Sequence, residues 1–583
     1  MDIANLAAVV GDRRVTDPWL EWLFSRTFIY PLPVGGIQDT MISGTNREGT
    51  EFVGSTYYAQ GEGASRVAAS LEQYLRAGGD PQYDLSDRRR YPKPAAHLDW
   101  RLENVVGGRD FLRIGDVCGP DKGPGHTLRD LEFARAGWRW TRDPKFAFLV
   151  HHRLGRGQET DAEWSEIVAA AGRQRRAPWL DNRSRVLPTW AGILEAGLEH
   201  DDYRFRRAAR VRVGYGVGHE HQDALDLQVV AHGLPLTIDG GQRRGYTVPT
   251  DSASFVHNSA GDVFAAIIEP YAGEPFITAR RELAVPGNED DARRAVAVEV
   301  RTAGGHRDVC FADGRPDRLR DVPDAGLKVA GEFALYATDA DGLRQVTLVG
   351  GRRLEAAEVR LVPAAAERGG QVVRADYPGK RLWIDQAWPA RSTAAAFEIG
   401  VPGHQTTYTA LSIQPAEGGS LLALDRGADY FRSQIAEVDA TAGIVTATLR
   451  PLVEQIDHDR DGWVASDDER QTFWRAKYLG SGRFQLTGAP VNQAAFGRAN
   501  ILRLWECGVG DHVRQSTSVS VRRVAAGVFE VQTDVPVAVG LRGSQLEVSG
   551  GAADGSRTVE AADGWASVDL PPSDAAYRLH VRE

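Results

Sequence analysis

The spacing of apolar positions changes period near residue 206. Upstream, Val67, Leu71 and Leu75 recur at i, i+4 and i+8 with Tyr74 beside them, and Gly78-Gly79 follow. That spacing predicts a helix that stops at the glycine pair. Thr160, with Glu163 three residues later and WSEIVAAAG beyond, is a capping-box pattern and predicts another helix start. Trp138, Trp140, Trp164, Trp179 and Trp190 crowd this part. Each singly reads as core, although aromatics lined along a cleft are also what sugar rings stack on.

Downstream the period becomes two. Val211-Val213, Leu225-Leu227-Val229 and Leu234-Leu236-Ile238 alternate in short runs between Gly or Pro residues. The alternation continues through Val296-Val298-Val300, Val346-Leu348 and Ile444-Thr446-Thr448, and resumes at Val519-Val521 and Phe529-Val531. Short strands with turn residues between them predict antiparallel sheets packed as a sandwich. Helices followed by strands imply separate units, a multidomain α+β chain. The expected division is a helical domain at 1–205, a large antiparallel β-sandwich at 206–450, a linker region at 451–512, and a small C-terminal β-domain at 513–583.

Composition narrows the function classes. At 583 residues the chain exceeds one compact core. A net charge of -10 gives no basic footprint, which argues against nucleic acid. A local Arg or His cluster can still bind an anion. Cys118, Cys310 and Cys507 form no CxxC pair, which argues against a disulfide framework or a cysteine-built zinc site. The start, MDIANLAAVVGDRR, lacks the basic and long apolar regions of a secretory signal, and no run reaches the length of a membrane span.

The chemistry concentrates between Gly214 and Asn258, which hold His219, His221, Asp223, Asp239, Tyr246 and His257. His219 and His221, two apart on a strand, share a face. Imidazoles and a carboxylate converging from neighbouring strands build a metal site, a proton-transfer site, or both. Two imidazoles plus a carboxylate with an open fourth position suit zinc. The same donors can hold iron, as in a cupin-like oxygenase or isomerase. A second constellation runs from Asp457 through Asp459, Asp461 and Gly462 to Asp468. Oxygen donors at positions 1, 3, 5 and 12 with Gly at 6 match a calcium loop of EF-hand or dockerin form and predict a structural Ca2+.

The order of these motifs resembles the heparinase II/III family of polysaccharide lyases. There H-x-H-x-D, an apolar strand ending D-x-G, a Tyr and H-N open the sheet domain. Here they are His219-Glu220-His221-Gln222-Asp223, Asp239-Gly240-Gly241, Tyr246 and His257-Asn258. Upstream, Glu51 to Tyr58 (EFVGSTYY) resembles the family's segment carrying the catalytic tyrosine, and Ile114-Gly115-Asp116 before GPDKGPG resembles its IGD turn.

The resemblance implies an (α/α) toroid-like helical domain ahead of large antiparallel sheets. It also implies β-elimination on a uronic-acid glycan, an anionic polysaccharide partner and export from the cytoplasm, and it is compatible with a homodimer. By it, His221, Asp239 and His257 hold a structural Zn2+. Tyr58 is the acid/base, with Tyr57 the alternative, and His219 is the partner base. Tyr246 is a secondary catalytic candidate, and Glu51 and Tyr57 contact substrate. A relative without activity would remain a glycan-binding protein. The chain departs from the family in one respect. Only 50 residues precede Glu51, without the family's Asn-His or His-Glu pair that neutralises the substrate carboxylate. Arg113 and His126 are the substitutes, and the toroid is expected to be shortened.

Overall fold

The computed structural model describes residues 2–25, 47, 49, 71–87, 92–111, 131, 133–187, 191–212, 227–232, 234–235, 267, 269, 274–288, 294–401, 404–448, 461–467, 472–496, 500–551 and 555–582. Helices occupy the first part. Pro92–Glu103, Phe133–Thr141, Pro144–Leu149 and Asp161–Ala171 bury Trp100, Phe133, Trp138, Phe146 and Ile167 in one cluster. Each such side chain contributes roughly 1.5–3 kcal/mol by leaving water. Trp138 and Trp179 are core residues, while Trp140 and Trp164 pack half-buried against them.

The local signals read from sequence hold here. Thr160 Oγ1 accepts from Glu163 N at 3.2 Å, and Glu163 Oε2 accepts from Thr160 N at 2.9 Å, a reciprocal cap at the start of Asp161–Ala171. Residues 71–76 are helical with Leu71 and Tyr74 buried. Gly78 follows at φ +86°, a left-handed conformation that a Cβ would disfavour. Among the described residues no helix is long and apolar enough to cross a membrane.

This part is not purely helical. Strands Arg185–Leu187 and Ala191–Ala196 precede residue 206 and join Arg207–Arg212, Leu227–Ala231 and Leu234–Pro235 in a five-stranded antiparallel sheet. Ile193, Ala208 and Val230 of that sheet complete the helical core.

The remaining described residues are mostly β. A ten-stranded and a six-stranded sheet face one another across a core that includes Phe311, Tyr336, Val346, Leu361, Val521, Val539 and Tyr577. Their strands come from two stretches, 277–363 and 518–582. Between them lies a closed six-stranded barrel made of Glu367–Asp376, Arg381–Ile384, Ala395–Val401, His404–Ala416, Gly419–Leu424 and His512–Ser516. A second closed barrel is inserted into the first. It consists of Asp429–Asp439, Ile444–Ala447, Asp461–Asp467, Phe473–Gly480, Arg483–Thr487 and Ile501–Trp505.

The sheets therefore do not follow the expected boundaries. Strands within 451–512 belong to the two barrels. The chain after 513 first completes a barrel strand and then returns to the sandwich, where Ser518–Ala525 pairs with Gly342–Val349. Alternation marks a strand; it carries no information about which distant strand is its partner.

Thr517 sits at the crossing between sandwich and barrel, 2% exposed. Its hydroxyl lies 2.7 Å from the Ala365 carbonyl, its N–H donates to Ala366 O at 2.9 Å, and its carbonyl accepts from Gly350 N at 2.8 Å. Thr517→Val keeps the shape but strands the Ala365 carbonyl. We expect a loss of about 1–2 kcal/mol in urea unfolding of the whole chain; an unchanged midpoint would refute this role.

Candidate functional site

The five-stranded sheet positions the segment that carries the candidate chemistry. Arg207–Arg212 and Leu227–Ala231 are antiparallel neighbours, with Val211 opposite Leu227. Residues 213–226 thus join adjacent ends of two paired strands. Leu234–Pro235 pairs with Val230 and Ala231 and heads back toward that same end. Residues 213–226 thus leave from the Leu227 end of the sheet, while the described chain stops at Pro235, opposite Val230.

The strand leading into the first stretch has an unusual inner face. In Arg207–Arg212 the pattern is exposed and buried in alternation, with Ala208, Arg210 and Arg212 inward at 5%, 0% and 1% exposure. Arg210 Nη2 donates to Oε1 of buried Gln228 at 2.9 Å on the neighbouring strand. Arg206, also buried, is tied to the carbonyls of Leu180, Leu198 and His200. Burying guanidiniums is expensive unless hydrogen bonds replace their water. These arginines were missed by the sequence reading. The sequence carried no such signal, because the apolar alternation Ala209-Val211-Val213 marks the opposite face, and Val211 on it is exposed.

Glu51, Tyr57, Tyr58, Arg113, His126, His219, His221, Asp223, Asp239, Tyr246, His257 and Asn258 lie outside the described residues, as do Asp457, Asp459 and Asp468. Of the candidate site residues only the backbone of Asp461 is described, and it begins the strand Asp461–Asp467. This strand is paired on both sides, with Phe473–Gly480 and Ile501–Trp505. Seven extended residues separate their ends by roughly 20 Å. The strand takes up positions 5 to 11 of the twelve-residue pattern, and the other positions lie outside the described residues. Among the described residues no three His, Cys, Asp or Glu side chains converge as a metal site.

A charged cavity of about 160 Å³ lies where helix Pro92–Glu103 meets the barrels, lined among others by Lys93, Asp99, Glu103, Asp425, Arg426 and Asp429. Its walls are ion-paired. Glu103 pairs with Arg426, Asp99 with Lys145 at 2.7 Å, and Asp429 with Arg503 at 3.0 Å, while Lys93 Nζ donates to Tyr430 O at 2.5 Å. Burial raises the pKa values of Asp99 and Asp425 against the pull of Lys145 and Arg426. Burial opposes the Glu103 charge too, yet the Arg426 guanidinium outweighs it and holds the acid below its ordinary value. This arrangement fastens the helices to the barrels; it pairs no nucleophile with a base.

On the same helix His97 is buried, with Nδ1 2.9 Å from the Gly49 carbonyl. Burial, reinforced by the Arg101 charge, lowers its pKa from 6.5 to about 3. The folded chain thus keeps His97 neutral where the unfolded chain would take up a proton. Stability is expected to fall as pH drops below 6.5 toward about 3. His97→Gln should remove that component from the difference between the two unfolding curves. Parallel curves from pH 6.5 down to about pH 4 would contradict it.

No protein-family model matches the chain, and no curated protein matches it.

Proposed function

We propose that the chain is a polysaccharide lyase that cleaves a uronic-acid-containing glycan by β-elimination, with a toroid-like helical part ahead of its sheets. One observation carries the reading. The segments Glu51–Tyr58, Ile114–Asp116, His219–Asp223, Asp239–Gly241, Tyr246 and His257–Asn258 occur in the order of the heparinase II/III family. The antiparallel strands Arg207–Arg212 and Leu227–Ala231 that flank residues 213–226 agree with the sheet setting the family would give the first of these segments.

The chemistry sets the roles. The C5 proton of a uronate is weakly acidic, so charge developing on the carboxylate must be neutralised while a base removes the proton. His219 takes that proton, and Tyr58 protonates the leaving C4 oxygen. Tyr246 orients the sugar, and Glu51 and Tyr57 contact it. A cationic neighbourhood favours the tyrosinate form, and the buried guanidiniums of Arg210 and Arg212 bring positive charge into the strand that leads toward His219. His221, Asp239 and His257 form a donor set that fits zinc. Bound there, zinc would fix the ends of the strands and hold His219 in orientation.

On heparan, chondroitin and alginate chains the protein is expected to raise absorbance near ~232 nm, where unsaturated uronate ends absorb once the C5 proton is removed. A flat trace on every acidic glycan, with binding retained, would make it a glycan-binding relative instead. Tyr58→Phe should lower the rate at least ~100-fold while zinc content stays at the native level. Full activity in that variant would remove Tyr58 from the mechanism. His221→Ala should release zinc and lower the melting temperature, both measurable without any substrate.

A further inference from the structure

The six-stranded sheet of the sandwich turns one face to the core and one to solvent. Along Val359–Pro363, residues Val359, Leu361 and Pro363 are buried while Arg360 and Val362 are exposed. The register places Arg360 opposite Gly540, Gly540 opposite Ser567, and Arg542 opposite Trp565, all on the outward face. The Arg360 guanidinium carbon lies 4.0 Å from the centre of the Trp565 ring and that of Arg542 lies 5.2 Å from it. Both arginines are exposed, and Trp565 is half-buried.

Gly540 explains how Arg360 reaches across a strand. A Cβ there would stand 3.0 Å from Ser567 Oγ, 3.5 Å from Arg360 Cβ and 3.6 Å from Trp565 Cε3. The missing side chain keeps a lane open between the arginine and the indole. Among the described residues neither guanidinium is ion-paired. Glu355 stands opposite Arg360 in the register but pairs with Arg353 at 2.7 Å, and Arg542 Nε donates to the Ala357 carbonyl at 2.9 Å. Arg514, by contrast, pairs with Glu332, Glu367 and Glu398.

Two cations held over one indole repel each other, and an anion between them relieves that repulsion. A guanidinium presents two parallel N–H donors to a carboxylate or sulfate. An indole offers an apolar surface to the C–H face of a sugar ring. We propose that Arg360, Arg542 and Trp565 form a surface site for one acidic sugar unit of a polysaccharide. Asp321, Lys328, Arg353, Glu355 and Asp569 share this outward face, so its charge away from the indole is mixed in sign. A glycan with one acid group per ring can present it to the arginine pair alone. The choice of an acidic glycan agrees with the proposed lyase substrate, but recognition at this face needs no turnover.

The test is affinity electrophoresis of the whole chain in native gels containing alginate, chondroitin sulfate, neutral amylose or polyglutamate. The native protein should be retarded by at least one acidic glycan and not by amylose. Arg360→Gln combined with Arg542→Gln should weaken that retardation about tenfold or more, as loss of charge-assisted hydrogen bonds predicts, with an unchanged melting temperature. Arg360→Gln alone, at an exposed position, serves if the double variant folds poorly. Equal retardation of native and variant chains overturns the site, as does retardation by polyglutamate as strong as by the glycans. Absence of an absorbance rise near ~232 nm with this binding intact would count against the lyase and not against the surface site.

Discussion

The architecture depends on how the chain leaves the sandwich and finds its way back. About 150 residues intervene between Pro363 and Ser518, and closing a loop of that length costs about 4 kcal/mol in chain entropy. The cost is offset because the insertion brings its own ends together. Glu367–Gln371 pairs residue by residue with His512–Ser516, and Thr517 fastens both to the sandwich through Ala365, Ala366 and Gly350. The second barrel repeats the device one level down. Its first strand pairs with its last, Asp429 opposite Trp505, and Glu506 N donates to Ala428 O at 2.8 Å. Pairing first strand with last leaves no open edge in either barrel, which removes the usual hazard of an inserted sheet.

Charged contacts tie the N-terminal part to this β framework. Arg47 with Glu506, and from helix Pro92–Glu103 Glu103 with Arg426 and Lys93 with the Tyr430 carbonyl, all cross the junction. Buried pairs of this kind gain little net stability, since desolvation consumes most of their attraction, but they penalise any misplacement that leaves one charge alone. The junction is thus specific in register and modest in strength. Arginine supplies most of these contacts: only six of the 69 basic residues are lysines. A planar guanidinium can satisfy several carbonyls at once, as Arg206 does with three, which a lysine cannot match in the same geometry.

Legibility in the sequence followed the range of the interactions. The Thr160–Glu163 cap and the stop at Gly78 are set within a turn of helix, so a few residues contain the whole cause. Strand faces were legible only in part. Val346, Leu348, Val519 and Val521 point inward, but Val211 is exposed. In Val296–Thr302 and Ile444–Ala447 the buried residues are Ala297, Glu299, Val445 and Ala447, opposite in parity to the alternating ones. Partnership was not legible. Val346 opposite Val521 is a contact across 175 residues, and the same alternation would serve a sandwich, a barrel or a separate terminal domain. Of the DxDxDG run at 457–462 only Asp461 and Gly462 are described, and they begin the strand Asp461–Asp467, which barrel neighbours flank on both sides. At the candidate site, the motif order was readable but the buried arginines beside it were not, because a charged residue at an inward parity reads as surface until its hydrogen-bonding partner is known.

A net charge of -10 and an acidic ligand look incompatible only if charge is averaged over the molecule. At physiological ionic strength the screening length is about 8 Å, so a glycan near one sheet face feels that face and little of the rest. Many acidic side chains of the described surface are committed to arginines, as Glu332, Glu367 and Glu398 are to Arg514. What a ligand meets is the uncommitted remainder. On the outer face of the six-stranded sheet that remainder includes two guanidiniums on one indole. Local accounting of charge therefore reverses the sign that the whole-chain sum suggests. It also explains why an acidic protein can use arginine pairs, and not a basic patch, to hold a sparsely charged polymer.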